Sequence, residues 1–193
     1  WRAVAHGCTR IKRMSEPWRG GAERLTAVLQ AIFGTRLRSV AVYGAHLDGH
    51  TEVPLTCLAL VDTLSLSDLD ACASRASGWQ RAGIATPLVL ATDEFRNSLD
   101  AFPLEYGEIL RAHRTVFGDD LLTDAAIAFD DLRRACETQV KSHLLHLREG
   151  YIQAGGRPTD IAELVRRSAG AFGALLRNVA RLSGVHSHNR MDT

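Results

Sequence analysis

Ser39-Val40-Ala41-Val42-Tyr43-Gly44-Ala45-His46-Leu47-Asp48-Gly49-His50, followed by Thr56-Cys57-Leu58-Ala59-Leu60-Val61-Asp62, reads as a strand, a glycine turn, a short loop and a second strand. Each apolar run has strand length and is bounded by turn-forming residues, so neither continues as a helix. The loop over residues 44–54 holds Gly44, Gly49 and Pro54. Gly44 has no side chain, so its turn lets backbone N–H groups approach a phosphate. The same glycine also serves as a plain strand-ending turn. Gly44, Ala45 and His46 are therefore the candidate binding residues of this stretch.

Outward from these strands, the pattern is mixed. On the N-terminal side, Ser15-Glu16-Pro17 predicts a helix start, with Ser15 as N-cap and proline in the first turn. Leu25, Val28, Leu29, Ile32 and Phe33 keep helical spacing up to Gly34. On the C-terminal side, Ser67-Asp68-Leu69-Asp70 predicts a helix capped by Ser67 and running to about Gly83. Leu69, Cys72, Ala73, Ala76 and Trp79 form its inner face. Residues 86–91 predict a third strand. Residues 101–106 predict a fourth, with Pro103 arguing for an edge or a bulge. Residues 115–122 read as a short strand or turn.

From Thr123 the character changes. Phe129, Cys136, Val140, Leu144, Leu147 and Tyr151 share one face of a long helix over about 124–153. Gly155-Gly156-Arg157-Pro158 breaks it. Thr159-Asp160 then caps a second helix, with Ile161, Leu164, Val165, Phe172, Leu175, Leu176 and Val179 inward. Ser168, Ala169, Gly170, Gly173 and Ala174 would let a neighbouring helix pack closely. The expected division is a leader over 1–14, disordered or non-native with Met14 as the natural start, an α/β domain over 15–122, a helical region over 123–184 and a polar tail over 185–193.

Composition narrows the class of partner. The 193 residues carry a net charge of +1 and are 46% hydrophobic, with an isoelectric point near 7.9. That balance leaves no electrostatic footprint for nucleic acid. Arginine outnumbers lysine 21 to 2, and the arginines are scattered rather than clustered. Cys8, Cys57, Cys72 and Cys136 form no CxxC pair, and their spacing fits neither a zinc site nor a disulfide framework. Cys57, in a predicted buried strand, and Cys72, on a predicted apolar helix face, read as small core residues of a protein in the reducing cytoplasm. No apolar run reaches membrane-spanning length, and residues 1–13 have no apolar centre of the signal-peptide kind.

The strand–Gly44–loop–strand layout resembles the opening of the nucleotidyltransferase (polymerase-β-like) fold. In that family a Gly-Ser turn cradles the nucleotide phosphates. Two aspartates, one residue apart at the start of the next strand, hold Mg²⁺. Here Ala45 stands in place of the serine, and Leu55-Thr56-Cys57-Leu58 stands in place of the aspartate pair. Nucleotidyl transfer needs metal ions to neutralise the triphosphate and align the attacking oxygen. Mg²⁺ takes hard oxygen ligands, which Thr, Cys and Leu do not replace. The expectation is that the former ligand positions are Thr56 with Leu58, or Leu55 with Cys57, and that no divalent ion binds there.

The resemblance extends over about residues 20–183. Phe102-Pro103-Leu104-Glu105 resembles the later strand that carries a third carboxylate, which makes Glu105 the one candidate catalytic acid. Val116-Phe117-Gly118-Asp119-Asp120-Leu121 resembles the hydrophobic–Gly–acid turn before the family's C-terminal helices. Leu132-Arg133…Glu137…Leu147-Arg148 is similar to that helical region.

Other constellations read as surface. His143-x-x-His146 with Glu149 has metal-ligand spacing, but Lys141 and Arg148 beside it disfavour a cation. His46 and His50 suit an anion or acid–base work and equally an ordinary loop. Arg181-x4-His186 matches an Arg-x4-6-His signature of HEPN-type ribonucleases, yet Gly184 interrupts the helix that would present both residues. Asp119-Asp120 and Asp130-Asp131 are adjacent pairs, which a helix splays about 100° apart.

The expected fold is thus α/β (α+β), a small mixed sheet followed by a helical hairpin or bundle. The expected function is that of a catalytically degenerate nucleotidyltransferase-like protein that binds a nucleotide or small ligand or serves as a scaffold. No resident metal or cofactor is expected, and a homodimer through the helical region is. Two alternatives stand beside it. One is an active nucleotidyl or phosphoryl transferase, using nucleotide with Mg²⁺ and relocated acids among Asp48, Glu52, Asp62, Asp93 and Glu105. The other is the helical interaction module of a toxin–antitoxin-like pair.

Overall fold

The computed structural model of the chain describes residues 16–183. The leader, Ser15 as a cap and the tail from residue 184 lie outside those residues. Among the described residues the fold is α/β, with a four-stranded mixed sheet, helices on both of its faces and a long C-terminal helical hairpin.

Helix α1 (Arg19–Phe33) buries Ala22, Leu25, Thr26, Leu29 and Phe33 along one stripe. Pro17 sits in the turn ahead of it rather than in its first turn. Gly34, at φ 57°, stops the helix and turns the chain into strand β1 (Leu37–Tyr43). Strand β2 (Thr56–Val61) runs antiparallel to β1, pairing Tyr43 with Thr56 and Leu37 with Val61. Five of the six β2 residues are fully buried. A strand apolar on both faces must be covered on both sides, and this one is.

Helices α2 (Leu66–Ala73) and α3 (Ala76–Arg81) carry the chain across to strand β3 (Leu88–Ala91), which lies parallel to β2. A parallel neighbour requires such a crossover. The expected single helix to Gly83 is therefore two, and its cap is Ser65, not Ser67. Ser65 Oγ accepts from the Asp68 N–H at 3.3 Å, and the Asp68 carboxylate accepts from the Ser65 N–H at 3.0 Å. Two orphan groups are thereby satisfied at once. Cys72 and Trp79 face the core, whereas Leu69 and Ala73 are exposed.

A second correction concerns residues 101–106. After helix α4 (Thr92–Asn97), this segment is not an edge strand but the start of helix α5 (Pro103–Arg111). Proline at the first helical position costs no hydrogen bond and presets φ. Tyr106 and Ile109, three residues apart, are buried together. The ring of Tyr106 packs edge-on to Phe95 at 5.0 Å and to Phe102 at 5.8 Å. The fourth strand, β4 (His113–Gly118), lies antiparallel to β1, giving the order β3-β2-β1-β4.

Two cores flank the sheet. One joins α1 and the α2–α3 crossover to Val40, Val42, Leu55, Cys57, Ala59 and Val61. The other joins α4 and α5 to Ala41, Leu58 and Leu60. Helix α6 (Phe129–Ala154) then packs beside α5, and α7 (Pro158–Leu182) folds back along α6. Helix α6 starts five residues later than expected. Thr159 and Asp160 lie inside the first turn of α7 rather than capping it.

The close helix approach is at Gly150, where an added Cβ would lie 2.6 Å from Leu164 Cδ1. Gly170 and Gly173, expected to play that part, have no such neighbour. Of the side chains expected inward on α7, Val165, Phe172, Leu176 and Val179 are exposed, and so are Phe129, Val140, Leu144 and Tyr151 from the shared face of α6. Cys136 and Leu175 are buried as expected.

Candidate functional site

Gly44 ends β1 at φ 76° and ψ −148°, a conformation open to glycine and closed to other residues. Residues Ala45–Asp48 then make a single 3₁₀ turn, closed by the Leu47 N–H on the Gly44 carbonyl at 2.9 Å. Gly49, at φ 90°, ends that turn. The next residues return to β2, so Thr56 lies directly across from Tyr43 and beside Gly44. Thr56 Oγ1 donates to the Tyr43 carbonyl at 2.6 Å. A Cβ added at Gly44 would meet that same oxygen at 3.2 Å.

His46 is fastened by its loop. Its Nε2 donates to the Val53 carbonyl at 2.7 Å, and its Nδ1 is buried without a protein partner. The ring lines a cleft of about 370 Å³ with Trp18, Arg24, Glu52 and Val53. His50 stands 3.2 Å from Glu52 and is exposed. Backbone hydrogen bonding, with the charge of His50 added, holds the Glu52 carboxyl below its usual range. The Tyr43 phenol beneath the turn is pushed up, first by burial and then by Cys57.

The four ligand positions weighed from the sequence divide between the two faces of β2. Leu55 and Cys57 point into the core under α1. Leu58 points the other way, into the core with Phe95 and Tyr106. Thr56 shares that second face by strand alternation. Leu55, Cys57 and Leu58 are at most 3% exposed. Burial pushes the Cys57 thiol up to about 12. These residues do not fit Mg²⁺ with a nucleotide: one hydroxyl, already spent on Tyr43, is the only hard oxygen among their side chains.

Of the relocated acids, Asp48 and Glu52 lie on the Gly44 loop itself, and the other three lie elsewhere in the fold. Asp48 lies 3.8 Å from Arg111 on α5. Asp62 is bound to Arg38 at 2.9 Å, at the end of β2 away from Gly44. Asp93 is in the first turn of α4. Glu105 sits on α5, not on a strand. It lines a separate cleft of about 560 Å³ between α5 and α6, together with Asp100, Asp131, Arg134 and Thr138. Neither cleft contains both Glu105 and the Gly44 turn. Among the described residues, no three His, Cys, Asp or Glu side chains are placed to hold a metal ion. In the helical pair considered earlier, His143 Nε2 is buried and unpartnered, while His146 is exposed and 3.4 Å from Glu149. Of Arg181-x4-His186, His186 lies outside the described residues. No described helix is long and apolar enough to cross a membrane.

Two polar clasps escaped the sequence reading. His113 spans from the Ile109 carbonyl at 3.3 Å to Asp120 at 3.1 Å, fixing the turn after β4. Arg36 grips Asp68 through both terminal guanidinium nitrogens, which donate at 2.7 and 2.8 Å. Arg36 and Asp68 are 32 residues apart, so no local pattern announces them; His113 meets Asp120 only because the chain turns at Gly118.

The turn after β1, its antiparallel partner β2 and the Gly118 turn ahead of the C-terminal helices reproduce the frame expected from the sequence. That frame is the one the nucleotidyltransferase resemblance implies. No protein-family model matches the chain, and no curated protein matches it.

Solved structures do match, with low identity. One is the spectinomycin adenyltransferase AAD(9) from Enterococcus faecialis with ATP and spectinomycin. It has a TM-score of 0.47 and 13% identity, over 88% of this chain and 90% of that one. Another is a Shewanella oneidensis complex of a tri-AMPylated HEPN toxin with its MNT antitoxin. It has a TM-score of 0.37 and 12% identity, over 66% of this chain and 93% of that one. A third is a mutant of the toxin–antitoxin MntA–HpeT. It has a TM-score of 0.36 and 15% identity, over 68% of this chain and 95% of that one.

Proposed function

We propose that this nucleotidyltransferase-like protein does not transfer nucleotides and acts in the cytoplasm as a binding or scaffolding protein. The observation that carries the reading is the packing of β2. Beneath the Gly44 turn, Thr56 is tied to the Tyr43 carbonyl and Leu58 is sealed under Phe95 and Tyr106. No carboxylate stands where a metal-bound triphosphate would need two. What survives is the turn itself: Gly44, Ala45 and His46 offer backbone groups and one fastened imidazole to an anionic small ligand. We assign that turn to an α/β domain over 15–122 and the scaffold surface to the helical region over 123–184.

A thermal-shift series with ATP, GTP, CTP and UTP, each with and without Mg²⁺, tests the reading. A ligand that binds the folded state raises its midpoint by mass action. The expected result is no shift that depends on Mg²⁺, and no incorporation of labelled nucleotide into protein or small acceptors. A Mg²⁺-dependent shift accompanied by nucleotide transfer would overturn it in favour of an active transferase.

A further inference from the structure

Helix α7 touches the rest of the chain chiefly through α6, and the pair leaves one broad apolar side uncovered. At 100° per residue, Val165, Phe172, Leu176 and Val179 fall within an arc of about 60° on α7. Val140, Leu144 and Tyr151 fall within about 40° on α6. Gly150, Ala154, Leu164 and Leu175 mark where the two helices face each other. Both exposed arcs are turned from that contact line in the same rotational sense, by roughly 70–80°. Because the helices are antiparallel, the same sense places both arcs on one side of the hairpin. Val165 and Tyr151 are each 60% exposed, Leu176 52% and Phe172 47%.

Two observations identify what covers this side. The first is area. The seven side chains expose on the order of 600 Å², near the upper end for a monomer's largest apolar patch and close to the ~800 Å² each partner contributes to a stable interface. The second is symmetry. The α7 stripe is nearly palindromic about Phe172, with Val165 seven residues before it and Val179 seven residues after. Leu176, four residues after, corresponds to the small Ser168–Ala169 step before it. An antiparallel two-fold crossing at Phe172 sets each position against its mirror position, so large side chains meet apolar or small ones, as a self-complementary patch must. Beside the stripe, a Cβ at Gly173 would meet only a tip of Arg177 at 3.7 Å, which leaves room for a second helix.

We propose that the chain dimerises through this side, two α6–α7 hairpins forming a four-helix bundle in which the α7 helices cross antiparallel at Phe172. The proposal gives the scaffold reading its partner, a second copy of the chain, and rests on that reading only for its purpose. The nucleotide titrations above read the Gly44 turn and leave the dimer untouched, so either idea can fail alone.

The test starts from full-length protein at tens of micromolar by sedimentation equilibrium. The expected mass is twice the 21.1 kDa of one chain. Phe172→Glu, and separately Gly173→Glu, should give the single-chain mass with unchanged circular dichroism. In a Cys8→Ser background, Phe172→Cys should form a disulfide-linked dimer within minutes of mild copper–phenanthroline oxidation. Arg167→Cys, on the far side of α7, should not. A single-chain mass for the unmodified protein overturns the proposal, including the case where the chain pairs only with a different protein. So does a dimer that persists in Phe172→Glu, or cross-linking that is equal at positions 172 and 167.

Discussion

The Thr56 hydroxyl donates to the Tyr43 carbonyl at 2.6 Å, directly beside the Gly44 turn. This bond fastens the end of β1 to the start of β2. It also occupies the one hydroxyl that β2 presents there. Thr56→Val keeps the shape and removes the bond, and is expected to cost about 1 kcal/mol. Leu58→Asp, two residues on, places a carboxylate among Phe95 and Tyr106 and is expected to cost about 4 kcal/mol or more. Urea denaturation of the two variants checks both numbers. A Leu58→Asp protein as stable as the parent would show that the face under Gly44 is less sealed than its packing indicates.

Gly118 ends β4 at φ 71° with its α-carbon pressed against β1. A Cβ there would lie 1.9 Å from the Arg38 carbonyl oxygen, a backbone atom that cannot step aside. Gly118→Ala should therefore cost about 3 kcal/mol, from the left-handed backbone and the forced separation of β4 from β1 together. Gly49→Ala shares the positive φ but has nothing within 4 Å. It should lose only about 1 kcal/mol. Comparing the two by thermal melts separates steric contact from backbone strain.

The Arg36–Asp68 clasp ties the start of β1 to α2. Hydrogen bonds from Arg36, and then from Ser65, hold the Asp68 carboxyl well below the usual carboxylate range. A depressed folded-state value means that the stabilisation is complete above the ordinary aspartate pKa of about 3.9. It fades as the pH falls below that value. Asp68→Asn should lower the thermal midpoint by roughly 5 °C between pH 5 and 8. The gap to the parent should close as the pH drops below about 4. A gap that is constant down to pH 2 would count against the ion pair as its source.

Burial raises the Cys57 thiol to about 12. Burial, followed by the nearby Asp68, also raises Cys72. Cys136 is buried as well. In Cys8→Ser protein at pH 8, no thiol should react rapidly with a disulfide reagent, and all three should react once the chain is unfolded. Linkage also has a sign here. A thiol whose folded value is raised stabilises fully below its unfolded value of about 8.5 and less as the pH climbs above it. The midpoint should therefore fall between pH 9 and 11, and Cys57→Ala should flatten that fall.

The sequence by itself determined the β1–Gly44–β2 frame, the two long helices, and the residues Ala45 and Leu55-Thr56-Cys57-Leu58 that follow the turn. Those are local matters: apolar periodicity, glycine, and the identity of the side chain at a position. Tertiary structure decided the rest. In residues 101–106 the alternation of a strand and the spacing of a helix are equally consistent with the sequence. Contacts of Tyr106 with Phe95, eleven residues back along the chain, select the helix that removes Glu105 from the sheet. Ser65 and Ser67 both suit a cap; Ser65 takes it through its reciprocal box with Asp68, a carboxylate that Arg36 also holds from across the chain. Alternation alone puts Thr56 on the face of Leu58; which core that face meets follows from strand pairing with Tyr43, which a one-residue slip would reverse. The apolar stripes of α6 and α7 were plain in the sequence, but their direction was not. A stripe states that a helix has something to bury, and only packing states whether its own chain supplies the cover.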